Sequence, residues 1–242
     1  LQKTVPKKPW QMAADPRNPN TYFILDGTNF ALWNSETKTL RQLLQSIGGV
    51  SVGDSYLILW DLQSSLAHKT SLDSTQAHPY ATTSLSAITQ NTIEEILDHL
   101  LIRNGKNLWL FPNSGHAPIL LTDTAEARAY THTAAYVLWW DKKTISIYWT
   151  VENEALPSFQ ETRKELLYES PGVIRQVQPY PLEHDIIFQE NNGIYTLELD
   201  GRGGTRNKHI LYKGVDPSFY APPQEKILYV LDEGSLFTIE LP

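Results

Sequence analysis

The chain has 242 residues, of which 41% are hydrophobic, 11% aromatic and 19% charged. This composition excludes a disordered or coiled-coil chain and supplies enough apolar side chains for a core. A net charge of -7 opposes binding to a phosphate backbone, so we expect no nucleic-acid partner. The chain has no cysteine, which excludes disulfides and thiolate sites.

No stretch approaches the roughly 18 consecutive apolar residues of a membrane span, so we expect no membrane insertion by this segment. The sequence begins at Leu1 and not at a methionine. We therefore expect that upstream residues have been removed and that any membrane anchor lies on them.

One hairpin pattern recurs six times along the chain: an apolar or aromatic run, a polar turn containing Asp, Asn or Gly, and usually a second apolar run. The copies begin at Tyr22, Tyr56, Leu108, Tyr136, Ile186 and Ile227. Their spacings are 34, 52, 28, 50 and 41 residues, with a mean of 41. A four-stranded propeller blade takes about 40 to 45 residues. We therefore predict an all-β protein, a β-propeller of about six short four-stranded blades in a single domain, 1–242. A β-sandwich or a pair of β-domains is the alternative.

The irregular spacings predict insertions at about 62–103 and 150–163. In the first, Ile93, Ile96, Leu97, Leu100 and Leu101 have helical spacing, Thr92 and Glu95 form a capping box, and Gly105 is a stop signal. We predict a helix near 92–103. In the competing interpretation, Ile96 to Ile102 is the first strand of the next blade.

One complete blade is predicted near the end of the chain, with strands at 173–178, 185–189, 193–199 and 209–212. The last copy stops at Pro242, directly after its third strand. The N-terminal segment 1–10 could supply the missing outer strand and close the ring, which would remove an exposed edge.

Aromatic side chains are the first candidate binding groups. Six tryptophans lie in or beside predicted strands, where most are expected to fill the core. Trp139 and Trp140 are adjacent, and side chains alternate along a strand, so one of the two is expected at the surface as a binding residue.

The loop from Asp200 to Asn207 is glycine-rich and basic, which makes Arg202 and Arg206 candidates for an anion or partner contact. The loop lacks the Lys-Ser/Thr ending of a P-loop and leads into a strand, so a flexible hairpin loop is the competing interpretation.

Acidic residues end several predicted strands, namely Asp26, Asp61, Asp141 and Asp232. Together with Asp185 they could converge as acid and base of a carbohydrate hydrolase or lyase. Aspartate is also a good turn former, which is the simpler interpretation. Glu152 and Glu154 permit a further carboxylate pair in a loop. The seven histidines show no metal-ligand spacing, so we predict neither a metal site nor a cofactor.

From Gly172 to Leu241 the sequence resembles the C-terminal β-propeller of bacterial PEGA-domain envelope proteins. The likeness is carried by Gly172-Val173-Ile174-Arg175-Gln176-Val177, Asp185-Ile186-Ile187-Phe188, Gly193-Ile194-Tyr195 and Glu198-Leu199-Asp200-Gly201-Arg202-Gly203-Gly204. It implies a non-enzymatic, membrane-anchored protein outside the cytoplasm, with its PEGA module upstream. TolB-like and other WD40-like propellers are similar more broadly, and they imply an accessory module.

The functional prediction is a non-catalytic interaction or structural module at a bacterial cell envelope. Its partner is expected to be a protein or a glycan. This prediction rests on the family likeness and on the absence of a complete catalytic motif from the sequence. The alternative is a carbohydrate hydrolase or lyase.

Overall fold

The computed structural model describes residues 11–53, 56–64, 66–72, 77–81, 91–96, 99–104, 107–112, 117–123, 129–133, 135–150, 164–180, 185–201, 205–223 and 225–241. The chain divides into two compact units, Leu1–Asp123 and Thr124–Pro242. Each unit contains three antiparallel sheets, which we number 1 to 6 in chain order. No helix occurs in the described ranges. These ranges therefore contain no helix that could cross a membrane. The prediction of a single domain over 1–242 stays a prediction.

The first unit holds sheets 1 to 3, and each has four strands. Sheet 1 consists of β1 (Gln11–Asp15), β2 (Asn18–Asp26), β3 (Asn29–Asn34) and β4 (Thr39–Leu44); sheet 2 of β5 (Ile47–Val52), β6 (Tyr56–Asp61), β7 (Leu66–Ser71) and β8 (Ala77–Ala81); sheet 3 of β9 (Asn91–Ile96), β10 (His99–Asn104), β11 (Asn107–Pro112) and β12 (Ile119–Thr122). In every sheet consecutive strands are neighbours, as in a propeller blade.

The second unit holds sheets 4 to 6. Sheet 4 consists of β13 (Ala129–His132), β14 (Tyr136–Trp140), β15 (Thr144–Trp149) and β16 (Lys164–Glu169); sheet 5 of β17 (Ile174–Pro179), β18 (Asp185–Glu190), β19 (Gly193–Glu198) and β20 (Lys208–Lys213); sheet 6 of β21 (Ser218–Tyr220), β22 (Ile227–Asp232) and β23 (Ser235–Glu240). The four strands predicted between 173 and 212 are those of sheet 5. Among the described residues sheet 6 has three strands, and the segment 1–10, predicted as a possible fourth strand, lies outside the described ranges.

The helix predicted near 92–103 is wrong, because this part of the chain forms the hairpin β9–β10. Leu100, Leu101 and Ile102 are all almost completely buried, so both faces of β10 lie in the interior. A strand buried on both faces is a continuous apolar run, and such a run has no period of two that would distinguish it from a helix. The competing interpretation was right that this part of the chain is extended, but Ile96 to Ile102 is not a single first strand, because Ile96 ends β9 and β10 is the second strand of sheet 3.

The helix prediction also displaced the start of one predicted hairpin copy by one strand. Five of the six predicted starts fall at or inside the second strand of a sheet, whereas Leu108 falls in β11, the third strand of sheet 3. The second strand there is β10, at the position given to the helix. The uneven spacings of 52 and 28 residues therefore come from this misplaced start. The predicted insertion at 62–103 contains β7, β8, β9 and most of β10, and residues 151–163 lie outside the described ranges.

Apolar side chains between neighbouring sheets form the core of each unit. In the first unit Trp60 packs edge-on against Phe111, with ring centroids 6.1 Å apart, between sheets 2 and 3. In the second unit Tyr136 and Trp149 are 5.4 Å apart within a cluster that joins sheets 4 and 5. The middle sheet of each unit, sheet 2 or sheet 5, thus contributes large residues from both of its faces to the cores on either side.

Glutamine side chains connect the first strands of neighbouring sheets. Gln11 Nε2 donates to the carbonyl oxygen of Val50 at 2.6 Å, which joins sheet 1 to sheet 2. Gln176 makes the corresponding contact in the second unit, donating to the carbonyl oxygen of Phe219 at 2.6 Å. The carboxamide has both a donor and an acceptor, so it can satisfy the backbone of a neighbouring strand that is not part of its own sheet.

The turns between second and third strands use positive φ where the sequence predicts it, although not always at glycine. Glu233 and Gly234 have φ of 48° and 78°, as a tight hairpin turn requires. In the turn before Gly193, the residue with positive φ is Asn191, at 51°. Gly193 lies instead in β19, where a Cβ atom would meet the ring of Tyr195.

Candidate interaction surface

One end of the three sheets in the second unit carries alternating turns and links. The turns are those between second and third strands, at 141–143, 191–192 and 233–234, and the links run from one sheet to the next at 170–173 and 214–217. We call this set of residues the turn rim. Its parts are connected by hydrogen bonds from one turn to the next.

The first link is attached to the turn of sheet 4. The backbone amide of Ser170 donates to the carbonyl oxygen of Lys143 at 2.7 Å. In return, Lys143 Nζ donates to the carbonyl oxygen of Gly172 at 2.7 Å and to that of Pro171 at 3.1 Å. Lys143 thus attaches the link at 170–173 to the turn at 141–143 through both its backbone and its side chain.

The turn of sheet 5 lies between the two links and contacts both. The amide of Asn191 donates to the carbonyl oxygen of Val173 at 2.9 Å, and the amide of Val173 donates to Asn191 Oδ1 at 2.9 Å. On its other side, the amide of Gly214 donates to the carbonyl oxygen of Asn192 at 2.9 Å. This turn therefore joins the two links into one continuous hydrogen-bonded chain.

Asp232 fixes the second link. Its buried carboxylate accepts hydrogen bonds from the amide of Asp216 at 3.0 Å, the amide of Val215 at 3.2 Å and the hydroxyl of Tyr212 at 3.0 Å. The amide of Asp216 and these other donors lower the pKa of Asp232, although burial acts in the opposite direction. A carboxylate with several donors prefers its charged form, so the link is held by an ionised side chain.

Glu190 takes the same position in sheet 5 that Asp232 takes in sheet 6, at the end of the second strand. It accepts hydrogen bonds from Tyr168 at 2.9 Å and from Ser170, and it forms an ion pair with Lys208. Burial would raise the pKa of Glu190, but the donors Lys208, Ser170 and Tyr168 outweigh it and lower the pKa.

The ammonium group of Lys208 is surrounded by aromatic rings. It lies 4.1 Å from the ring centroid of Tyr195, 4.8 Å from that of Tyr168 and 5.2 Å from that of Phe188. Cation–π attraction adds to the ion pair with Glu190 in this half-buried place. The tyrosine–acid contact thus recurs from sheet to sheet, as Tyr168 with Glu190 and as Tyr212 with Asp232.

Apolar side chains project from this fixed backbone. Val173 is 39% exposed, Val215 is 65% exposed and Leu231, beside the last turn, is 49% exposed. Arg175 and Asp216 form an exposed ion pair next to them. Apolar side chains with charged groups of both signs around them are typical of a protein-binding surface.

The structure places the two predicted binding tryptophans in the interior. Trp139 and Trp140 are 6% and 9% exposed. Trp140 belongs to the core between sheets 4 and 5, and Lys164 Nζ lies 5.5 Å from the ring of Trp139. The expectation of one surface ring assumed a sheet with one solvent face, but this strand is buried on both sides. Their role in binding stays a prediction.

Arg206 forms an ion pair with Glu165 at 2.6 Å and donates from Nε to the carbonyl oxygen of Leu199 at 3.4 Å. Both charged side chains of the pair are largely buried, so this arginine connects sheet 5 to β16. Arg202 lies outside the described residues. The predicted anion or partner contact of the two arginines stays a prediction.

The strand-end aspartates that the structure describes act in turns. Asp61 accepts hydrogen bonds from the amide of Gln63 and the hydroxyl of Ser64, at 2.9 and 2.7 Å. Asp141 Oδ1 accepts from the amides of Lys143 and Thr144, both at 2.7 Å.

In the second unit the candidate catalytic carboxylates do not share one end of the sheets. Asp185 begins its strand, whereas Asp141 follows a strand and Asp232 ends one. Asp185 therefore lies at the opposite end of its sheet from the turn rim. Asp26, in the first unit, is exposed beside its turn. Glu152 and Glu154 lie outside the described ranges. Within those ranges no group of three or more histidine or acidic side chains could hold a metal ion.

Sequence reasoning missed the turn rim, although a signal was present. The fourth strands of sheets 4 and 5 read Lys-Glu-Leu-Leu-Tyr and Lys-His-Ile-Leu-Tyr, and each is followed by a short link that contains Gly and Val. When these two copies are aligned, Tyr168 corresponds to Tyr212, and the link at 170–173 corresponds to the link at 214–217. A repeat defined by the hairpins alone does not include the links between sheets.

No family model and no curated protein match the chain. Solved structures do match it. The chain is similar to Sqt1 from Chaetomium thermophilum, with a TM-score of 0.60 and 12% identity over 96% of this chain and 68% of that one. It is also similar to Hsv2 from Kluyveromyces lactis, with a TM-score of 0.54 and 9% identity over 95% of this chain and 73% of that one.

These two structures are WD40-type β-propellers. The fold of this chain is a β-propeller. The fold prediction made from the hairpin repeat is thus confirmed, apart from its helix. At such low identity the propeller likeness shows the fold alone.

Proposed function

We propose that this β-propeller is a non-catalytic interaction module that binds a protein partner through the turn rim. The observation that supports this function is the exposure of Val173, Val215 and Leu231 on a backbone held by hydrogen bonds from turn to turn. A surface that is already ordered loses little conformational entropy on binding, so its apolar contacts count more fully toward affinity.

A protein partner is favoured over a glycan by the position of the aromatic side chains. Sugar rings are commonly bound by stacking on exposed aromatic faces, and the two tryptophans predicted as binding residues, Trp139 and Trp140, are buried. The rim instead offers aliphatic side chains and the ion pair between Arg175 and Asp216.

We also propose that the module belongs to a bacterial cell-envelope protein, outside the cytoplasm and anchored through an upstream region. The resemblance of residues 172–241 to the propellers of PEGA-domain envelope proteins supports this placement. Fractionation of cells that produce the full gene product tests it. We expect the protein in the envelope fraction, and recovery in the cytoplasmic fraction would contradict the placement.

The binding function is tested with a charged rim variant, Val173→Glu together with Val215→Glu. The control is Ile210→Glu, since Ile210 is 55% exposed but lies on the outer strand β20. Partners cross-linked to the wild-type module are identified by mass spectrometry, purified and titrated against all three proteins. We expect the rim variant to bind at least about tenfold more weakly, because two buried charges would replace apolar contacts.

Two outcomes would contradict the proposed function. One is equal affinity of the rim variant and the Ile210→Glu control for the identified partner. The other is binding of soluble peptidoglycan fragments by the wild-type module with no direct affinity for any co-purified protein. Circular dichroism of all three proteins checks that the substitutions leave the fold intact.

A further inference from the structure

The strand β23 has the apolar residues of a buried strand, but most of its side chains are exposed. It is the third strand of sheet 6, and in the described part of the chain it pairs only with β22. Leu236 is 68% exposed and Phe237 is 43% exposed. By contrast β19, the third strand of sheet 5, lies between β18 and β20, and its Ile194 is 0% exposed.

The two strands are copies of the same element. β19 and the residue after it read Gly-Ile-Tyr-Thr-Leu-Glu-Leu, and β23 and the residue after it read Ser-Leu-Phe-Thr-Ile-Glu-Leu. Phe237 corresponds to Tyr195 and Glu240 to Glu198. A strand with this many apolar side chains on both faces is suited to a neighbour on each edge, and an uncovered edge of this kind readily accepts another strand.

In sheet 5 the fourth strand, β20, shows which side chains suit a strand that pairs with β19. Ile210 of β20 pairs with Tyr195, and Lys208 Nζ lies 4.1 Å from the Tyr195 ring centroid. Just before β20, Asn207 Nδ2 donates to Glu198 at 2.7 Å. The covering strand thus begins with a polar donor and a lysine and continues with apolar residues.

The charges along β23 fit the same kind of strand. Glu240 at its end and Glu233 in its preceding turn are both exposed. An incoming strand with basic residues at both ends would lie next to these carboxylates, as β20 begins with Lys208 and ends with Lys213.

We propose that β23 is completed by an extended strand of a partner protein, which adds to sheet 6 as an antiparallel fourth strand. The partner strand has basic residues at its ends and apolar residues that cover Phe237. This inference rests on the proposed function of partner binding, but it uses the edge of β23, which no strand in the described part of the chain covers, and not the exposed valines of the turn rim. Strand addition draws its affinity from backbone hydrogen bonds and its specificity from alternate side chains.

A fluorescein-labelled peptide copying residues 207–213, Asn-Lys-His-Ile-Leu-Tyr-Lys, serves as the probe. We expect fluorescence anisotropy to show binding to the wild-type chain with a Kd of about 10 to 100 µM, since a short free peptide must be ordered on binding. Phe237→Lys should weaken it at least about tenfold, by loss of the apolar contact and by charge repulsion. The Val173→Glu, Val215→Glu rim variant should bind the peptide as the wild type does, which separates this test from that of the proposed function.

A charge reversal keeps the test decisive if Phe237→Lys does not fold. Glu240→Lys should weaken binding of the peptide, and a second peptide with glutamate in place of both lysines should bind this variant better than the wild type. The proposal is overturned if the wild type binds neither the peptide nor any partner strand, or if Phe237→Lys has no effect. It is also overturned if the amides of β23 in the free protein exchange as slowly as those of β19, because another segment of the chain would then already cover the edge.

Discussion

At the scale of single residues, a few buried polar side chains hold sheets together that share no backbone pairing. Glu190 and Asp232 end equivalent strands, and each accepts a hydroxyl hydrogen bond from the preceding sheet, from Tyr168 and Tyr212. A buried carboxylate is costly unless several donors surround it. These acids therefore stabilise the fold only as part of their complete networks.

Replacing Glu190 by glutamine should destabilise the protein by about 2 to 3 kcal/mol, because Lys208 would lose its counter-charge in a half-buried place. The folded-state pKa of Glu190 lies below the ordinary value of 4.5. Its ionisation thus contributes stability above about pH 4.5, and that contribution is lost as the pH falls through the lower folded-state pKa. Urea unfolding at a series of pH values between 7 and 3 measures both effects.

The exposed Glu233 supplies the control for this measurement. Glu233→Gln should leave both the free energy of unfolding and its dependence on acid pH close to those of the wild type. If Glu190→Gln retained the full acid dependence of the wild type, the network would not be the source of that dependence.

At the scale of elements, glutamine side chains form a second set of polar connections from sheet to sheet, between first strands. Gln176 lies on β17 and bonds both to the carbonyl oxygen and, at 3.4 Å, to the amide of Phe219 on β21. The three-residue strand β21 pairs with β22 only along three positions. Besides the packing of Phe219 in the core between sheets 5 and 6, Gln176 and Gln178 attach this strand to sheet 5, and Gln178 accepts from the amide of Ala221 at 2.9 Å.

Gln176→Ala should lower stability by about 1 to 2 kcal/mol, because two backbone groups of Phe219 lose their partner. We expect the amides of β21 to exchange with deuterium faster than in the wild type, while those of β18 and β19 stay protected. The surface variant Gln45→Ala is the control, since Gln45 is exposed. Uniform loss of protection across sheet 5 would show that Gln176 supports the whole sheet and not the docking of β21.

At the scale of the whole molecule, charge governs how copies of the protein behave toward one another. The net charge is -7 at pH 7 and the sequence pI is close to 5.5. Mutual repulsion keeps such molecules apart at neutral pH, and it vanishes as the carboxylates are titrated toward the pI. Exposed apolar side chains such as Val215, Leu236 and Phe237 can then associate.

Solubility should therefore pass through a minimum near pH 5.5 at low ionic strength and recover on either side. Light scattering after equilibration at pH values from 4.5 to 8 measures it. The variant Val215→Glu should shift the minimum slightly downward and reduce the aggregated fraction. A minimum that does not move with charge and does not respond to this substitution would assign aggregation to partial unfolding.

The hairpin repeat determined the β-propeller fold, because each apolar run and its turn are encoded locally. Turn residues such as Asp141 and the Glu233-Gly234 pair carry their conformation in their own chemistry, so their roles could be read from the sequence. The strand β10 could not, since burial on both faces removes the alternation that identifies a strand.

Burial and long-range partners were decided by the tertiary structure alone. Trp140 is interior because it packs in the core between sheets 4 and 5, Trp139 is buried as well, and Arg206 is paired because Glu165, 41 positions away, lies beside it. The turn rim likewise joins segments that are separate in sequence. Composition and local pattern therefore determined the hairpins, their repetition and the net charge, whereas the packing of one sheet on the next decided which side chains remain free to bind a partner.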